Sequence, residues 1–573
     1  MKSRIFQSIP TFFIAVSLSF VLLALHASPI GILFTLTVSL LIIDRESQTR
    51  LLVMYLAILL FLVNITYLVR IPNDDIAIYI YCILSLIYVI KSSRTSYFFQ
   101  VQSYLHFSIS LLLSFGLWLF MDSKQSYKML INTLFNLGYD QVGHFAIMRT
   151  LSKCTEYLYL CDPNSSLLPL NYMFYPQQWH ILFSIFMSNG DLVSTLSSYI
   201  FLVIISTVIS LYLLSFSFRH FTQGVVGIRF KNYPNLYLST RVVLSIVYLL
   251  VLILSFMGYP NFVFSTALFV FAVASYENSK ISSYLLSSSV MLISISMYTL
   301  FLVPGVTFFL FCTIFFKGSI GIRAINTVIW IIFAYSVVAL ARGKNHVDFI
   351  GTGGGGLSLV VIATELMLLA GLLLNSFQAK RKEIIFSSPI GNLVLANAIV
   401  FVSLVGLNFL LVFMGNTTGY YLAKFSYFAF IVGLINLFIA LSKLNFRIPT
   451  PPITASSVCL IVAITWYLIP RIPFASPFVN LVNIASGPSE TQQIRIESIY
   501  SAAKLSVFTN KPVVLLSANS GPDTQWVNSL SGNWSAYLNN FLENKIDNEE
   551  EFRDPKFQES NKEILVFFDT EGK

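Results

Sequence analysis

The sequence predicts a polytopic α-helical membrane protein of about fifteen spans, closed by a small extracytoplasmic α/β domain. Three observations lead there. Hydrophobic residues make up 56% of the chain and charged residues 11%, where a soluble domain carries about 25% charged. Apolar runs long enough to cross roughly 30 Å of hydrocarbon recur along most of its length. From about Ser486 the chain turns polar and its acids outnumber its bases. The formal charge of +9 comes largely from Lys and Arg in short loops between apolar runs, where such residues set topology. No basic stripe or stacking platform for nucleic acid is visible.

Taken in order, the predicted spans are 7–26, 29–43, 51–69, 76–91, 103–121, 191–216, 241–257, 262–276, 281–302, 305–316, 324–341, 357–377, 392–414, 425–442 and 454–470. Lys2 and Arg4 precede the first, which reads as a signal anchor because no small-residue cleavage site follows it before Pro29. In the 281–316 region Pro304-Gly305 splits a long apolar run into two short spans or one bent pair. With the N-terminus cytoplasmic, the inner loops hold Arg45, Arg50, Lys91, Arg94, the Arg219–Arg241 cluster, Lys280, Lys317, Arg323, Lys380-Arg381-Lys382, Lys443 and Arg447. That alternation fits the positive-inside rule and places the C-terminus outside. The chain then divides into N-terminal membrane helices (1–121), an extracytoplasmic loop (122–190), further membrane helices (191–485) and a soluble extracytoplasmic domain (486–573).

Within the loop, Gln177 to Met187 is amphipathic but shorter than a span, and reads as a helix lying along the outer membrane surface. In the last domain Val513 to Asn519 and Glu563 to Thr570 read as strands, with helical spacing of Trp, Leu and Phe between Trp526 and Asn544. Trp526 and Trp534 carry rings that can stack on sugars or fill a core. Of the five cysteines, Cys82, Cys312 and Cys459 fall in spans as small apolar residues, while Cys154 and Cys161 share the outer loop, where oxidising conditions allow them to pair.

The outer loop holds the candidate chemistry. Asp140 and His144 are four apart and share one face of a helix. A carboxylate there can accept a proton from an incoming hydroxyl, or hold a divalent cation together with the imidazole. No Asp-x-Asp pair stands in the loop, so no metal ligand set is assigned. The competing acids, Asp74-Asp75, read as a turn running into a helix cap. His180 closes Tyr175-Pro176-Gln177-Gln178-Trp179-His180 on the aromatic segment. Lys424, beside Tyr420 and Tyr421 at the start of a late span, can present an ammonium to a phosphate at the membrane surface. Arg342, before the glycine run Gly353 to Gly356, and Arg149 are further cations for such an anion. Glu365 falls inside a span and is expected to pair with a polar neighbour or line a cavity.

The D-x-x-x-H element at Asp140, the Y-P-x-x-x-H element at Tyr175 and the segment Gly419 to Phe425 resemble the polyprenyl-phosphate-sugar-dependent glycosyltransferases of the GT-C class, above all bacterial envelope members. The likeness extends to the span pattern, the large outer loop and the outer C-terminal domain. It implies a GT-C-like fold in the cell membrane, a lipid-linked sugar donor, and a glycan, lipid or protein acceptor on the outer face. It also implies that Asp140 is the general base. His144, Arg149, His180, Arg342, Tyr421 and Lys424 are then substrate-binding residues. That class usually carries its acid after the first span, whereas Asp140 follows about the fifth here. The alternatives are a flippase or transporter of lipid-linked glycans, which would carry midplane charges and paired repeats, and a polymerase or ligase of such glycans, which would use outer-loop arginines.

Overall fold

A computed structural model of the chain describes residues 127–136, 140–154, 177–187, 192–226, 234–342, 359–378, 388–413, 420–443, 487–516, 520–531 and 565–568, with single positions between 50 and 64. The predicted spans before 191, apart from those single positions, and the one at 454–470 lie outside these residues. So do Asp74-Asp75, Cys161, Trp534 and Gly353 to Gly356. The chain forms two compact units, one of Met1–Val208, Leu254–Pro260 and Ser476–Lys573, the other of Ile209–Ile253 and Asn261–Ala475.

Every apolar run predicted between 191 and 442 coincides with a helix. These are α4 (Leu192–Val226), α5 (Pro234–Phe256), α6 (Pro260–Ser275), α7 (Ile281–Met297), α8 (Leu302–Phe315), α9 (Ile320–Arg342), α10 (Leu359–Gln378), α11 (Pro389–Phe413) and α12 (Tyr420–Lys443). Among the described residues three stretches, Leu192–Thr222, Pro389–Leu410 and Leu422–Ala440, are long and apolar enough to cross a membrane. In the second unit Ile325 and Ile332 of α9, Leu366 and Leu373 of α10, and Val402 and Phe409 of α11 are 50–70% exposed. Each pair is seven residues apart and so marks one helix face. Large aliphatic faces turned outward suit hydrocarbon rather than water. The chain is a helical membrane protein.

Several polar side chains of the second unit bond from one helix to another. Ser265 and Ser294 each donate to the other's carbonyl, at 2.7 and 2.9 Å. Ser288 accepts from Asn326 at 2.8 Å and from the Trp330 indole at 2.7 Å. Asn375 donates to Asn436 at 3.0 Å. Glu365 accepts from Asn408 at 3.1 Å, the polar partner its place in a span demanded. Cys312 is buried, as a small apolar residue should be.

The break in the 281–316 run falls at Tyr298, in extended conformation with φ −152° and ψ 108°, and not at Pro304. Proline is tolerated in the first turn of a helix, where its missing N–H has no intrahelical partner anyway. The two arms fold back as an antiparallel hairpin. Tyr284 near one open end stacks on Phe316 at 4.2 Å. Near the turn Gly305 admits Ile295, whose Cδ1 would lie 2.7 Å from a Cβ placed there. With 17 and 14 residues, both arms are short of the roughly 20 a span needs.

The first unit contains α1 (Tyr127–Asn136), α2 (Asp140–Cys154), α3 (Gln178–Ser184), the start of α4, and the C-terminal elements α13 (Glu490–Thr509), β1 (Val513–Leu516), α14 (Ser520–Ser531) and β2 (Leu565–Phe568). The strands pair in parallel, Val513 opposite Leu565. Both predicted strands are therefore present in shortened form, and the helix between them begins six residues earlier than its tryptophan spacing suggested. Thr524 and Asn528, one turn apart on α14, serve β1 like a neighbouring strand. Leu515 N donates to Thr524 Oγ1 at 2.9 Å, and Val513 exchanges 3.0 and 2.7 Å bonds with the Asn528 amide. A bare strand edge is thereby satisfied. Ser489 and Gln492 form a capping box on α13, which ends at Asn510 in the left-handed region with φ 52°.

This C-terminal module docks on helix α1. Tyr127 stacks on Tyr500 at 3.9 Å, Lys128 pairs with Glu497, and Phe135 meets Trp526 at 4.5 Å. Trp526 is thus a packing residue, 4% exposed. Arg495 lies over the Phe135 ring and holds the buried Asp523 carboxylate through Nε at 2.8 Å and Nη2 at 2.6 Å.

Candidate functional site

Asp140 opens α2, in the first turn where a negative charge suits the helix dipole. His144 follows one turn later on the same side. The side chain of Gln141 is wholly buried: its Oε1 accepts from the Tyr199 hydroxyl, and its Nε2 donates to Ser255 O at 3.2 Å. One turn on, Phe145 meets the Tyr199 ring edge-on at 5.3 Å.

The helix bearing His180 is short and sunk into the protein. Of its seven residues, Trp179 to Ser184 are all buried. This corrects the expectation of an amphipathic helix on the membrane surface, because its polar members are engaged inside. Gln178 exchanges amide bonds with Asn64 at 2.7 and 3.0 Å, and Ser184 donates to Ile181 O at 3.0 Å. His180 reaches His144, with Nδ1 of His144 2.8 Å from Nε2 of His180, both rings buried and 5.0 Å apart. A single proton can occupy that bond, so at least one of the two nitrogens is unprotonated. Trp179 sits edge-on to both rings.

Arg149 is also on α2 and also buried, 6% exposed. Nine residues of helix turn it about 180° away from Asp140. It lies on the flank of Val142 and Phe145, seven and four residues back along the helix. Its Nε and Nη1 have no hydrogen-bond partner among the described residues. Burial alone pulls its guanidinium down to about 10, yet it stays charged at neutral pH.

The remaining candidates belong to the second unit. Lys424 is 3% exposed in the first turns of α12, its Nζ 5.7 Å from the centre of the Tyr298 ring. An ammonium over a tyrosine face is a cation–π contact. Tyr421 lies in the first turn of α12 and Arg342 is the last residue of α9, with side chains outside the described residues. The same holds for Cys154 at the end of α2. Among the described residues no three His, Cys, Asp or Glu side chains converge on one point.

One residue the sequence reading passed over belongs here. Gly258, in Met257-Gly258-Tyr259-Pro260, has φ +95°. Gly258 N donates to Ser255 O at 3.3 Å and Tyr259 N to Leu254 O at 3.1 Å, which closes the C-terminus of α5. A Cβ on it would lie 3.1 Å from Asp140 Cβ. The signal was a glycine after an apolar helix with a proline two residues on.

Comparison with protein-family models, with curated proteins and with solved structures returns no match.

Proposed function

We propose that this chain is a GT-C-like glycosyltransferase of the cell membrane. It would move a sugar from a polyprenyl-phosphate carrier to a glycan, lipid or protein acceptor on the extracytoplasmic face. The observation that carries the reading is the meeting of the two loop motifs. His144 of the D-x-x-x-H element and His180 of the Y-P-x-x-x-H element, 36 residues apart, share a 2.8 Å bond one turn from Asp140. A surface loop of unrelated polar residues has no need to gather imidazoles in a buried place.

In the proposed reaction the acceptor hydroxyl attacks the anomeric carbon of the carried sugar. Asp140 takes the hydroxyl proton, the bond from that carbon to the phosphate oxygen breaks, and polyprenyl phosphate leaves with the electron pair. His144 and His180 fix the acceptor side beside the base. The topology proposed with it has the N-terminus cytoplasmic and the C-terminus outside, on the alternation of Lys and Arg between loops.

The test is transfer by the full chain in lipid nanodiscs from radiolabelled polyprenyl-phosphoryl hexose or pentose to envelope glycan. Asp140→Asn keeps the shape and removes the base. Turnover should fall by about 100-fold or more while the protein remains in the membrane. An Asp140→Asn variant as active as wild type would refute the role.

A further inference from the structure

The first turn of α2 is gripped from two directions by residues to which the proposed reaction gives no part. From one side, the turn that closes α5 comes against it backbone to backbone. At Gly258, with φ +95°, a Cβ would sit 3.1 Å from Asp140 Cβ and 3.4 Å from the amide nitrogens of Asp140 and Gln141. Only glycine adopts that conformation readily and leaves that space open. The carbonyl of Ser255 in the same turn accepts twice, from Gly258 N at 3.3 Å and from Gln141 Nε2 at 3.2 Å. From the other side, the Tyr199 hydroxyl of α4 donates to Gln141 Oε1. Both ends of the Gln141 amide are thus committed, one to α4 and one to the α5 turn, and Gln141 and Tyr199 are 0% exposed. A buried polar pair satisfied at every atom is rigid, because each alternative leaves a donor or acceptor stranded.

We infer that Gly258, Gln141 and Tyr199 are positioning residues that set where Asp140 presents its carboxylate. The inference rests on the reading of Asp140 as the base, since positioning matters only for a group that reacts. The three reach Asp140 through its own backbone and through its sequence neighbour, so they act by fixing geometry and not by touching substrate. Misplacement of a reacting group by a fraction of an ångström already slows a reaction.

The test uses the full chain in lipid nanodiscs and two variants. Gly258→Ala introduces the Cβ. Tyr199→Phe removes one oxygen, keeps the ring against Phe145, and leaves no strain. The first readout is amide hydrogen exchange. In both variants exchange at residues 141–146 should quicken about tenfold, the effect of losing one buried bond, with α13 unchanged. The second is transfer from radiolabelled polyprenyl-phosphoryl hexose, where kcat should fall about tenfold with the donor KM within about twofold. Unchanged exchange at 141–146 overturns the clamp, as does a rise shared equally by α13. Wild-type kcat in both variants overturns it too when Asp140→Asn is inactive, and the base reading then stands. The reverse result, Asp140→Asn fully active or the wild type silent toward this donor, counts against the base reading. Exchange then decides alone whether the clamp holds that turn.

Discussion

His144 and His180 stand 36 residues apart in the chain and share one hydrogen bond of 2.8 Å inside the protein. The bond joins α2 to α3. Removing either ring leaves a cavity and strands the partner nitrogen, so His144→Ala and His180→Ala should each destabilise by about 2–4 kcal/mol. The double variant should cost less than both singles together, by about 1 kcal/mol. Thermal unfolding in nanodiscs measures this, and strict additivity would show that the rings do not act as a pair.

Arg149 presents the opposite situation, a buried charge with no counter-charge among the described residues. Its depression to about 10 has burial as the only cause, which amounts to about 3 kcal/mol against the charged form. The sign is that of a lowered base: the penalty is present while the guanidinium is charged, and stability rises as pH climbs through about 10. Arg149→Met keeps much of the length and drops the charge. It should raise the unfolding midpoint in anion-free buffer, by the equivalent of about 1–4 kcal/mol. A variant less stable than wild type without anion would mean that the charge is compensated in the folded chain.

The C-terminal module bears on the loop through α1. Trp526→Ala removes the ring that meets Phe135 at 4.5 Å, and Tyr500→Ala the ring stacked on Tyr127. Each truncation should destabilise by about 3 kcal/mol. The loss should appear locally, as faster amide exchange in α1, because α1 leans on α13 and α14. Exchange in α1 that ignores both substitutions would mean that the module only shadows the loop.

The helices from 192 onward were legible because a twenty-residue apolar run has few other fates. What the sequence concealed has a physical cause in each instance. Pro304 looked like the break, but a proline three residues into α8 meets no resistance, and the chain turns at Tyr298 instead. The amphipathic look of Gln177 to Met187 came from Gln178, His180 and Ser184, which spend their polarity on protein partners that periodicity cannot show. Asp140 and His144 could be paired by their spacing. The contact of Tyr127 with Tyr500 spans most of the chain and leaves no local trace. Gly258 did leave one, in its position between an apolar helix and Pro260.

In the second unit α10 and α12 approach closely because two glycines and an asparagine pair allow it. A Cβ on Gly371 would lie 2.7 Å from Asn436 Nδ2, and one on Gly433 2.8 Å from Met367 Cε. These neighbours differ in what they can give. Met367 ends in a flexible methyl group that can swing aside. The Asn436 amide is tied to Asn375 at 3.0 Å, so it can retreat only by breaking an interhelical bond. Gly371→Ala should therefore destabilise by about 1–3 kcal/mol, and Gly433→Ala by less, against the small helix-propensity gain of about 1 kcal/mol that both changes bring. Thermal unfolding of the two variants side by side orders them. Restoring room with Asn436→Ser should recover part of the loss in Gly371→Ala and none in Gly433→Ala. Equal losses, or no recovery, would place the constraint elsewhere than at the Asn375–Asn436 contact.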